Sequence, residues 1–191
     1  MQIILASQSP RRKELMGLFH IPFSVQVADI DETMDATLPP AEEVARVSRL
    51  KAEAIPRTPD DIVIAADTIV VCDRKVLGKP ADEKDARRML RMLSGRKHQV
   101  MTGMTVLCGS RAEVCTEISD VYFRNLTDNE INRYIRTGEP MDKAGAYGIQ
   151  GGAALFVENI HGDYFNIVGL PVCKLSRILA TLLPDFMEEK K

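Results

Sequence analysis

Two long strand patterns follow each other in the middle of the chain, and they limit the possible fold more than any other feature. They are KHQVMTGMTVLC (97–108) and AEVCTEISDVYFR (112–124), and a turn signal at Gly109-Ser110 separates them. Consecutive strands of this length do not fit a fold in which every strand is followed by a helix. The sequence therefore predicts an α/β fold with a mixed sheet and flanking helices.

Shorter patterns place further strands and helices around this pair. The other strand patterns are QIILAS, FSVQV and the strongly apolar DIVIAADTIVVCD, which leads through an Asp73-Arg74 turn to KVLGKP. Helix patterns begin at Ser9, Pro40, Asp82, Thr127 and Pro171. The second ends near Ile55, the fourth at Gly138 and the last near Leu183, before a tail, MEEKK, that we expect to fray.

Two of these helices have a clear apolar side. In the first it consists of Leu15, Leu18 and Phe19, and in the third of Ala86, Met89, Leu90 and Leu93. With 191 residues and no linker or repeat, residues 1–191 are predicted to form a single domain. If it has two lobes, they share one continuous sheet.

Charge and composition restrict the partners. The 25 Lys and Arg residues nearly balance the 27 Asp and Glu residues, whereas a bulk nucleic-acid binder would be basic. We therefore expect no nucleic-acid partner, and a small anion met by a local cluster instead. The four Cys and three His residues lack the spacing of a zinc site. Without a signal peptide or a run of ~18 apolar residues, the sequence predicts a soluble, cytoplasmic protein with no membrane contact.

The stretch SQSPRRKEL (7–15) combines a helix start with positive charge. Ser9 is predicted as the N-cap and Pro10 as the first helical residue, and Arg11, Arg12 and Lys13 follow. Acidic residues normally occupy this turn, because a helix N-terminus carries partial positive charge. A bound phosphate would explain three cations here, and so would pairing with nearby carboxylates or simple exposure to solvent.

Lys51 has an unexpected place on the second helix. It falls on the apolar stripe that contains Val44, Val47 and Ile55, so we expect its side chain to point inward. An unpaired ammonium there is costly. Either the stem snorkels towards water, or the charge reaches an anion in a cleft.

Four further polar residues are candidates for chemistry. Asp67 interrupts the apolar strand 61–73, where a carboxylate rarely serves stability, and we expect it at a strand end as a metal ligand or general base. Glu32 is a second carboxylate, in an acidic loop that is equally consistent with a solvated surface. Lys79 lies in a Gly-Lys-Pro turn. This turn either directs the lysine ammonium into a cleft or leaves it in solvent without a function. Gln150 lies among glycines that allow either close approach of a ligand or a tight turn.

Taken together, these segments resemble one family. SQSPRR, AADTIV, GKP, SGRKHQVMTG and DKAGAYGIQGGAALFVENIHGDYFNIVGLP occur here in this order. They are similar to the motifs of the Maf family of nucleoside triphosphate pyrophosphatases, from Ile3 to about Leu183. DKAGAYGIQG resembles the branch that hydrolyses dTTP and UTP rather than the branch that acts on 7-methyl-GTP.

The resemblance implies a fold, a site and a set of partners. The fold would be the two-lobed α/β fold of inosine triphosphate pyrophosphatases, with the active site in a cleft between the lobes. Asp67 would be the general base. Phosphate and metal would be handled by Ser7, Arg12, Glu32, Lys51 and Lys79, with Glu32 and Asp67 as the metal ligands. Base selection would fall to Arg11, Thr68 and Gln150. The family also implies a divalent cation, Mg²⁺ or Mn²⁺, and a homodimer.

The expected reaction is hydrolysis between the α- and β-phosphates, which gives a nucleoside monophosphate and pyrophosphate. A different class of function is a non-catalytic regulator that binds a nucleotide or a cell-division partner. The combination of Asp67, Glu32, Lys51 and Lys79 favours the enzyme, because a pure binder needs no base.

Overall fold

The chain forms a seven-stranded mixed sheet with flanking helices, as the sequence predicts. The structure is a computed structural model that describes residues 1–27, 29–35 and 37–183. The strand order is β2-β1-β3-β5-β6-β7, and β4 pairs with β3. The strands are β1 (Ile3–Leu5), β2 (Ser24–Val25), β3 (Ile62–Cys72), β4 (Lys75–Leu77), β5 (Lys97–Cys108), β6 (Arg111–Phe123) and β7 (Val157–His161).

In the described residues six α-helices accompany the sheet, and most begin at the predicted cap. Ser9, Asp82 and Thr127 each accept a hydrogen bond from the third residue that follows, and Glu130 completes a capping box with Thr127. The helices are α1 (Pro10–Gly17), α2 (Pro40–Glu53), α3 (Glu83–Leu93), α4 (Asp128–Ile135), α5 (Tyr164–Val168) and α6 (Val172–Leu182). None of the helices in the described residues is long and apolar enough to cross a membrane.

By compactness the chain divides into two units. The first contains Met1–Asp67, Thr102–Glu117 and the segment from Gly169 onward, and the second contains Thr68–Met101 and Ile118–Val168. Strands β3, β5 and β6 therefore each contribute residues to both units.

In the first unit, α2 packs against parallel strands. Strand β1 pairs in parallel with β2 and β3. Gly103 of β5 allows the helix backbone to come close, since a Cβ atom there would lie 2.2 Å from the carbonyl oxygen of Val44. The predicted stripe is buried at Val44, Val47 and Ile55. Its core cluster consists of Ile4, Ala6, Ala52, Ile55, Val63, Ala65 and Leu107.

The second unit has the predicted hairpin and apolar helix. Asp73 and Arg74 both have positive φ, the backbone of the tight turn that joins β3 to antiparallel β4. Helix α3 buries all four residues of its predicted apolar side and contacts α4. The aromatic rings of this unit meet edge to face, at Phe123, Tyr134, Tyr147 and Phe156.

Several expectations from the sequence are wrong at element ends. Helix α1 stops at Gly17, so Leu18 leaves the helical period and is exposed rather than part of the apolar side. FSVQV forms only the two residues of β2, and α4 stops at Ile135, before Gly138. The short helix α5 has no counterpart among the predicted elements. The predicted frayed tail lies outside the described residues.

His98 makes the stability of the second unit depend on pH. Its ring is buried, Nε2 lies 2.8 Å from the Tyr147 hydroxyl, and Nδ1 has no hydrogen-bond partner among the residues described. Burial lowers the pKa of His98 from 6.5 to about 4, against the smaller opposing effect of the Asp120 charge. The folded state therefore keeps this ring neutral down to about pH 4, whereas the unfolded state takes up a proton near pH 6.5.

We expect acidification to destabilise the protein before its carboxylates titrate. Stability is complete above pH 6.5 and falls between pH 6.5 and 4, because the unfolded state binds more protons there. Between about pH 7 and pH 5 the free energy of unfolding should drop by about 2 kcal/mol. Denaturant unfolding at both pH values measures this, and His98→Gln should remove most of the difference. An equal pH dependence in the variant would contradict the assignment to His98.

Candidate active site

Two strands of the first unit end their pairing at the same level, and each leads to a candidate residue. The parallel register of β1 and β3 runs to Leu5 opposite Ile64, and Ala6 N–H donates to the Ile64 carbonyl at 2.8 Å. Beyond this level the first strand leads to Ser7, and the third strand leads to Asp67. Carboxyl ends of parallel strands commonly carry the functional groups of α/β proteins.

Asp67 lies inside β3, so the expectation of a strand end is wrong. The strand continues because its second half pairs with β4, from Val70 opposite Leu77. Asp67 is nevertheless beyond the last residue that pairs with β1. Asp67 and Thr68 are also the two positions of β3 that are not fully buried. The carboxylate thus lies at the one break in an otherwise buried strand.

The N-terminus of α1 has the predicted cap and an excess of positive charge. Ser9 accepts a hydrogen bond from the backbone N–H of Arg12, Pro10 occupies the first turn, and that turn contains no acidic residue. Arg11 is half-buried in the same turn. The partial positive charge of the helix end and these guanidinium groups form one cationic region.

Arg12 folds back over this helix start and is held by neutral oxygen atoms. Its Nε donates to the Gly169 carbonyl at 2.8 Å, and its Nη1 donates to Ser7 Oγ at 3.1 Å. Ser7 is buried and also accepts from Ser9 N–H. Desolvation lowers the pKa of Arg12, while the charges of Asp67 and Glu32 oppose that change. A guanidinium remains protonated here, so Arg12 is a fixed positive charge in the field of both carboxylates.

Lys51 bonds to both candidate carboxylates. Its Nζ lies 2.7 Å from Asp67 Oδ1 and 2.8 Å from Glu32 Oε2. The side chains of Lys51 and Asp67 are 14% and 17% exposed, whereas that of Glu32 is 58% exposed. The Lys51 ammonium is paired with two carboxylates of the protein itself, and its contact with a bound anion stays a prediction. One ammonium thus holds a largely buried and an exposed carboxylate together.

The acidic loop that carries Glu32 is tied to α2 by a pair that the sequence analysis did not single out. Glu43 is buried, bonds Arg46 through both oxygens, and accepts from Asp35 N–H at 2.7 Å. Arg46 in turn donates to the Thr33 carbonyl. The hydrogen bond from Arg46 lowers the pKa of Glu43. In the sequence, the sign that Glu43 is buried was its position on the same side of α2 as Val47.

Two carboxylates of this cluster are candidate ligands of a divalent cation. In the part of the chain that the structure describes, no three His, Cys, Asp or Glu side chains form a group that could hold a metal ion. Asp67 and Glu32 supply two carboxylates that already share one cation. Mg²⁺ is often held by one or two carboxylates and completes its coordination with substrate phosphate and water. The pair therefore fits an ion that binds together with a phosphate, rather than a metal held by the protein alone.

Three predicted site residues belong to the second unit. Thr68 is half-exposed in β3. Lys79 is exposed in a turn whose Gly78 carbonyl accepts from Gly145 N–H at 3.0 Å, and the next residue, Pro80, is buried. Gln150 is exposed in a turn. The other six, Ser7, Arg11, Arg12, Glu32, Lys51 and Asp67, belong to the first unit.

Comparison with known proteins gives the chain a family. The family model described as Maf-like protein matches residues 2–182. A dTTP/UTP pyrophosphatase of Bacillus pumilus is 54% identical over 181 residues, which cover 94% of this chain and 96% of that protein. A dTTP/UTP pyrophosphatase of Alkaliphilus metalliredigens is 50% identical over 182 residues, 93% and 94% of the two chains.

The likeness extends to the fold of a solved structure. A HAM1 protein from Coxiella burnetii has a TM-score of 0.50 and 16% identity, over 95% of this chain and 99% of that one. At this identity the likeness concerns the fold alone, and it agrees with the predicted mixed α/β architecture. The match of the family model over nearly the whole chain and the two close relatives confirm the resemblance predicted from the motifs. The chain belongs to the Maf-like protein family.

Proposed function

We propose that this protein hydrolyses nucleoside triphosphates, dTTP and UTP foremost, to a nucleoside monophosphate and pyrophosphate. The relatives named dTTP/UTP pyrophosphatase support this activity and substrate. The observation that carries it in this chain is the Lys51 ammonium between Asp67 and Glu32, beside the fixed charge of Arg12. Such a cluster supplies cations for a polyphosphate and oxygen ligands for a metal ion.

The cations hold the triphosphate. Arg12 contributes its fixed positive charge to the binding of phosphate oxygens, and the partial positive charge at the start of α1 adds to it. Lys51 and Lys79 would add two ammonium groups, and Ser7 keeps Arg12 in place through its hydroxyl. As the bond between the α- and β-phosphates breaks, negative charge grows on the leaving pyrophosphate, and these groups stabilise it.

Lys51 links substrate binding to the release of the base. Before substrate binds, its ammonium occupies Asp67 Oδ1. A triphosphate competes for that ammonium with a larger negative charge. When Lys51 turns to a phosphate oxygen, Asp67 is free to accept a proton from water. The water oxygen then bonds to phosphorus, the bridging P–O bond breaks, and pyrophosphate leaves.

Asp67 and Glu32 would hold a divalent cation, Mg²⁺ or Mn²⁺. When bound, that ion offsets phosphate charge and polarises the reacting phosphoryl group. The two carboxylates would supply oxygen ligands to that ion, while Asp67 keeps one oxygen for the proton of water. A cytoplasmic location, which the sequence predicts, and a homodimer, which the resemblance to the family implies, are part of the same proposal.

Base selection is assigned to Gln150, with Arg11 and Thr68. A glutamine amide offers one acceptor and two donors, which match N3–H and O4 of uracil or thymine. Cytosine presents the reversed pair, and a flipped amide matches it equally well. The selection of uracil therefore requires an amide that is fixed in one orientation. The 5-methyl group of thymine is worth only about 1–3 kcal/mol, so UTP and dTTP should both be substrates.

Gln150→Ala tests the assignment with a panel of nucleoside triphosphates. We expect kcat/KM for UTP and dTTP to fall far more than for poor substrates, so that the preference becomes flat. The amide contributes to the binding of the favoured bases only. Steady-state kinetics on UTP, dTTP, CTP and GTP measure the change. A variant that loses all of them in equal proportion would show that Gln150 supports the phosphate site or the loop instead.

A further inference from the structure

The turn that carries Gln150 is small and closed. Gly151 N–H donates to the Gly148 carbonyl at 3.1 Å, so residues 148–151 form a β-turn with Gln150 in its third position. Ile149 is buried and Gln150 is exposed. The turn thus anchors one side chain and presents the next.

One carboxylate connects Gly148, the first residue of this turn, with Gly152, the residue that follows it. Glu139 Oε2 accepts from Gly152 N–H at 3.0 Å, and Glu139 Oε1 accepts from the Tyr134 hydroxyl at 2.8 Å. The same hydroxyl accepts from Gly148 N–H at 3.1 Å. We call Glu139 and Tyr134 the clamp. Gly152 is held directly and Gly148 through the phenol, so both residues are fixed to one side chain.

The clamp is itself held in place. Tyr134 is buried, and its ring packs edge to face against Phe156 at 5.2 Å. Burial raises the pKa of Tyr134, so the hydroxyl keeps the proton that it donates to Glu139. The contact depends on Gly151, since a Cβ atom there would lie 2.1 Å from Glu139 Oε1 and the carboxylate would have to move.

The side chain of Lys143 lies against Gly148, at the first residue of the turn. A Cβ atom at Gly148 would lie 2.6 Å from Lys143 Cε. Lys143 Nζ donates to the Glu139 carbonyl at 2.9 Å and to Asp142 Oδ1 at 2.6 Å. The turn therefore has little freedom to shift against the segment 139–143.

We propose that Glu139 and Tyr134 are positioning residues for base selection, acting through Gln150. This inference rests on the proposed function. An amide that turns over exchanges its donor and acceptor and no longer separates uracil from cytosine. A turn fixed at its first residue and at the residue that follows it limits the backbone orientations from which the Gln150 side chain starts. The clamp would thus provide selectivity without touching the substrate.

Tyr134→Phe tests the proposal, because it removes the hydroxyl and keeps the ring. The Gly148 N–H and Glu139 each lose a partner. We expect the ratio of kcat/KM for UTP to that for CTP to fall by about tenfold, the usual order for one lost hydrogen bond. Exchange of the Gly148 amide hydrogen should become faster. Glu139→Gln should have a similar effect, since an amide cannot accept both bonds, and the double variant should add little to either.

Tyr147→Phe is the matched control. Tyr147 is another buried tyrosine of the same unit, but its hydroxyl bonds to His98. It should lose stability and keep the UTP to CTP ratio. The proposal is supported if Tyr134→Phe lowers the UTP to CTP ratio and Tyr147→Phe does not.

An unchanged ratio in Tyr134→Phe, with UTP hydrolysed by the unaltered protein, would overturn the clamp and leave the proposed function intact. Equal losses of selectivity in Tyr134→Phe and Tyr147→Phe would also overturn it, because general loosening would then be the cause. If the unaltered protein hydrolyses no nucleoside triphosphate, the proposed function fails, and the selectivity role fails with it.

Discussion

Asp67→Asn is expected to lower the turnover of UTP by about 10²–10⁴-fold, the usual contribution of a positioned acid–base group. Asparagine keeps the shape of the side chain and can still accept the hydrogen bond of Lys51. It cannot take a proton from water, and it is a weaker metal ligand. Steady-state kinetics at saturating UTP and divalent cation measure the loss. Activity within about threefold of the unaltered protein would remove Asp67 from the reaction, since general bases contribute far more.

Asp61→Asn provides a control for the same chemical change. Asp61 precedes β3 and is buried, and its carboxylate accepts from Gln2 N–H and from the backbone and hydroxyl of Thr58. Hydrogen bonds from Thr58 lower its pKa, so the charged form stabilises the fold at neutral pH. We expect Asp61→Asn to reduce the thermal midpoint and leave turnover unchanged. Asp67→Asn should instead reduce turnover and largely keep the thermal midpoint.

Lys51→Ala is expected to reduce kcat/KM for UTP by about 10²–10³-fold, which corresponds to about 2.7–4 kcal/mol for one electrostatic donor in the transition state. The ammonium lies between two carboxylates before substrate binds, so its loss also leaves their charges facing each other. We therefore expect a lower thermal midpoint as well. Lys51→Met keeps most of the apolar stem, and it should lose the same activity if charge is the cause.

Arg49→Ala is the control on the same helix. Arg49 is exposed and bonds Glu53 one turn away, a surface ion pair that contributes little. Kinetics and thermal unfolding of the three variants separate the effects. If Lys51→Ala and Lys51→Met lose stability but retain kcat/KM, Lys51 serves only to neutralise the two carboxylates, and the proposed phosphate contact is wrong.

Local signals predicted the elements of this fold well, because caps, turns and periodicity act over a few residues. Ser9, Asp82 and Thr127 cap helices as predicted, and the Asp73-Arg74 turn is a hairpin. The prediction that Leu18 lies on the apolar side of α1 was wrong because the helix ends one residue earlier. Helix α5 has five residues, too few for a helical period to be visible, although Asp163 accepts from Phe165 N–H near its start.

The charged residues of the candidate site are conspicuous in the sequence, whereas their contacts are not. Asp67 and Lys51 were notable because each places charge in an apolar pattern, which seldom happens for stability alone. Their bond to each other joins elements 16 residues apart, and Arg12 bonds to a carbonyl 157 residues away. No local pattern encodes such pairs. Glu43 and Glu139 were missed for a related reason, since each carboxylate acts by fixing a loop, and charged residues at these places are otherwise ordinary.

The products formed from UTP distinguish a pyrophosphatase from other hydrolases and from a protein that only binds nucleotides. The protein is incubated with UTP and Mg²⁺, and nucleotides and phosphates are separated over time, with Asp67→Asn in parallel. The proposed reaction gives UMP and pyrophosphate in equal amounts with the unaltered protein, and we expect the variant to be slower by about 10²–10⁴-fold. UDP with inorganic phosphate, or nucleotide binding without any turnover, would contradict it.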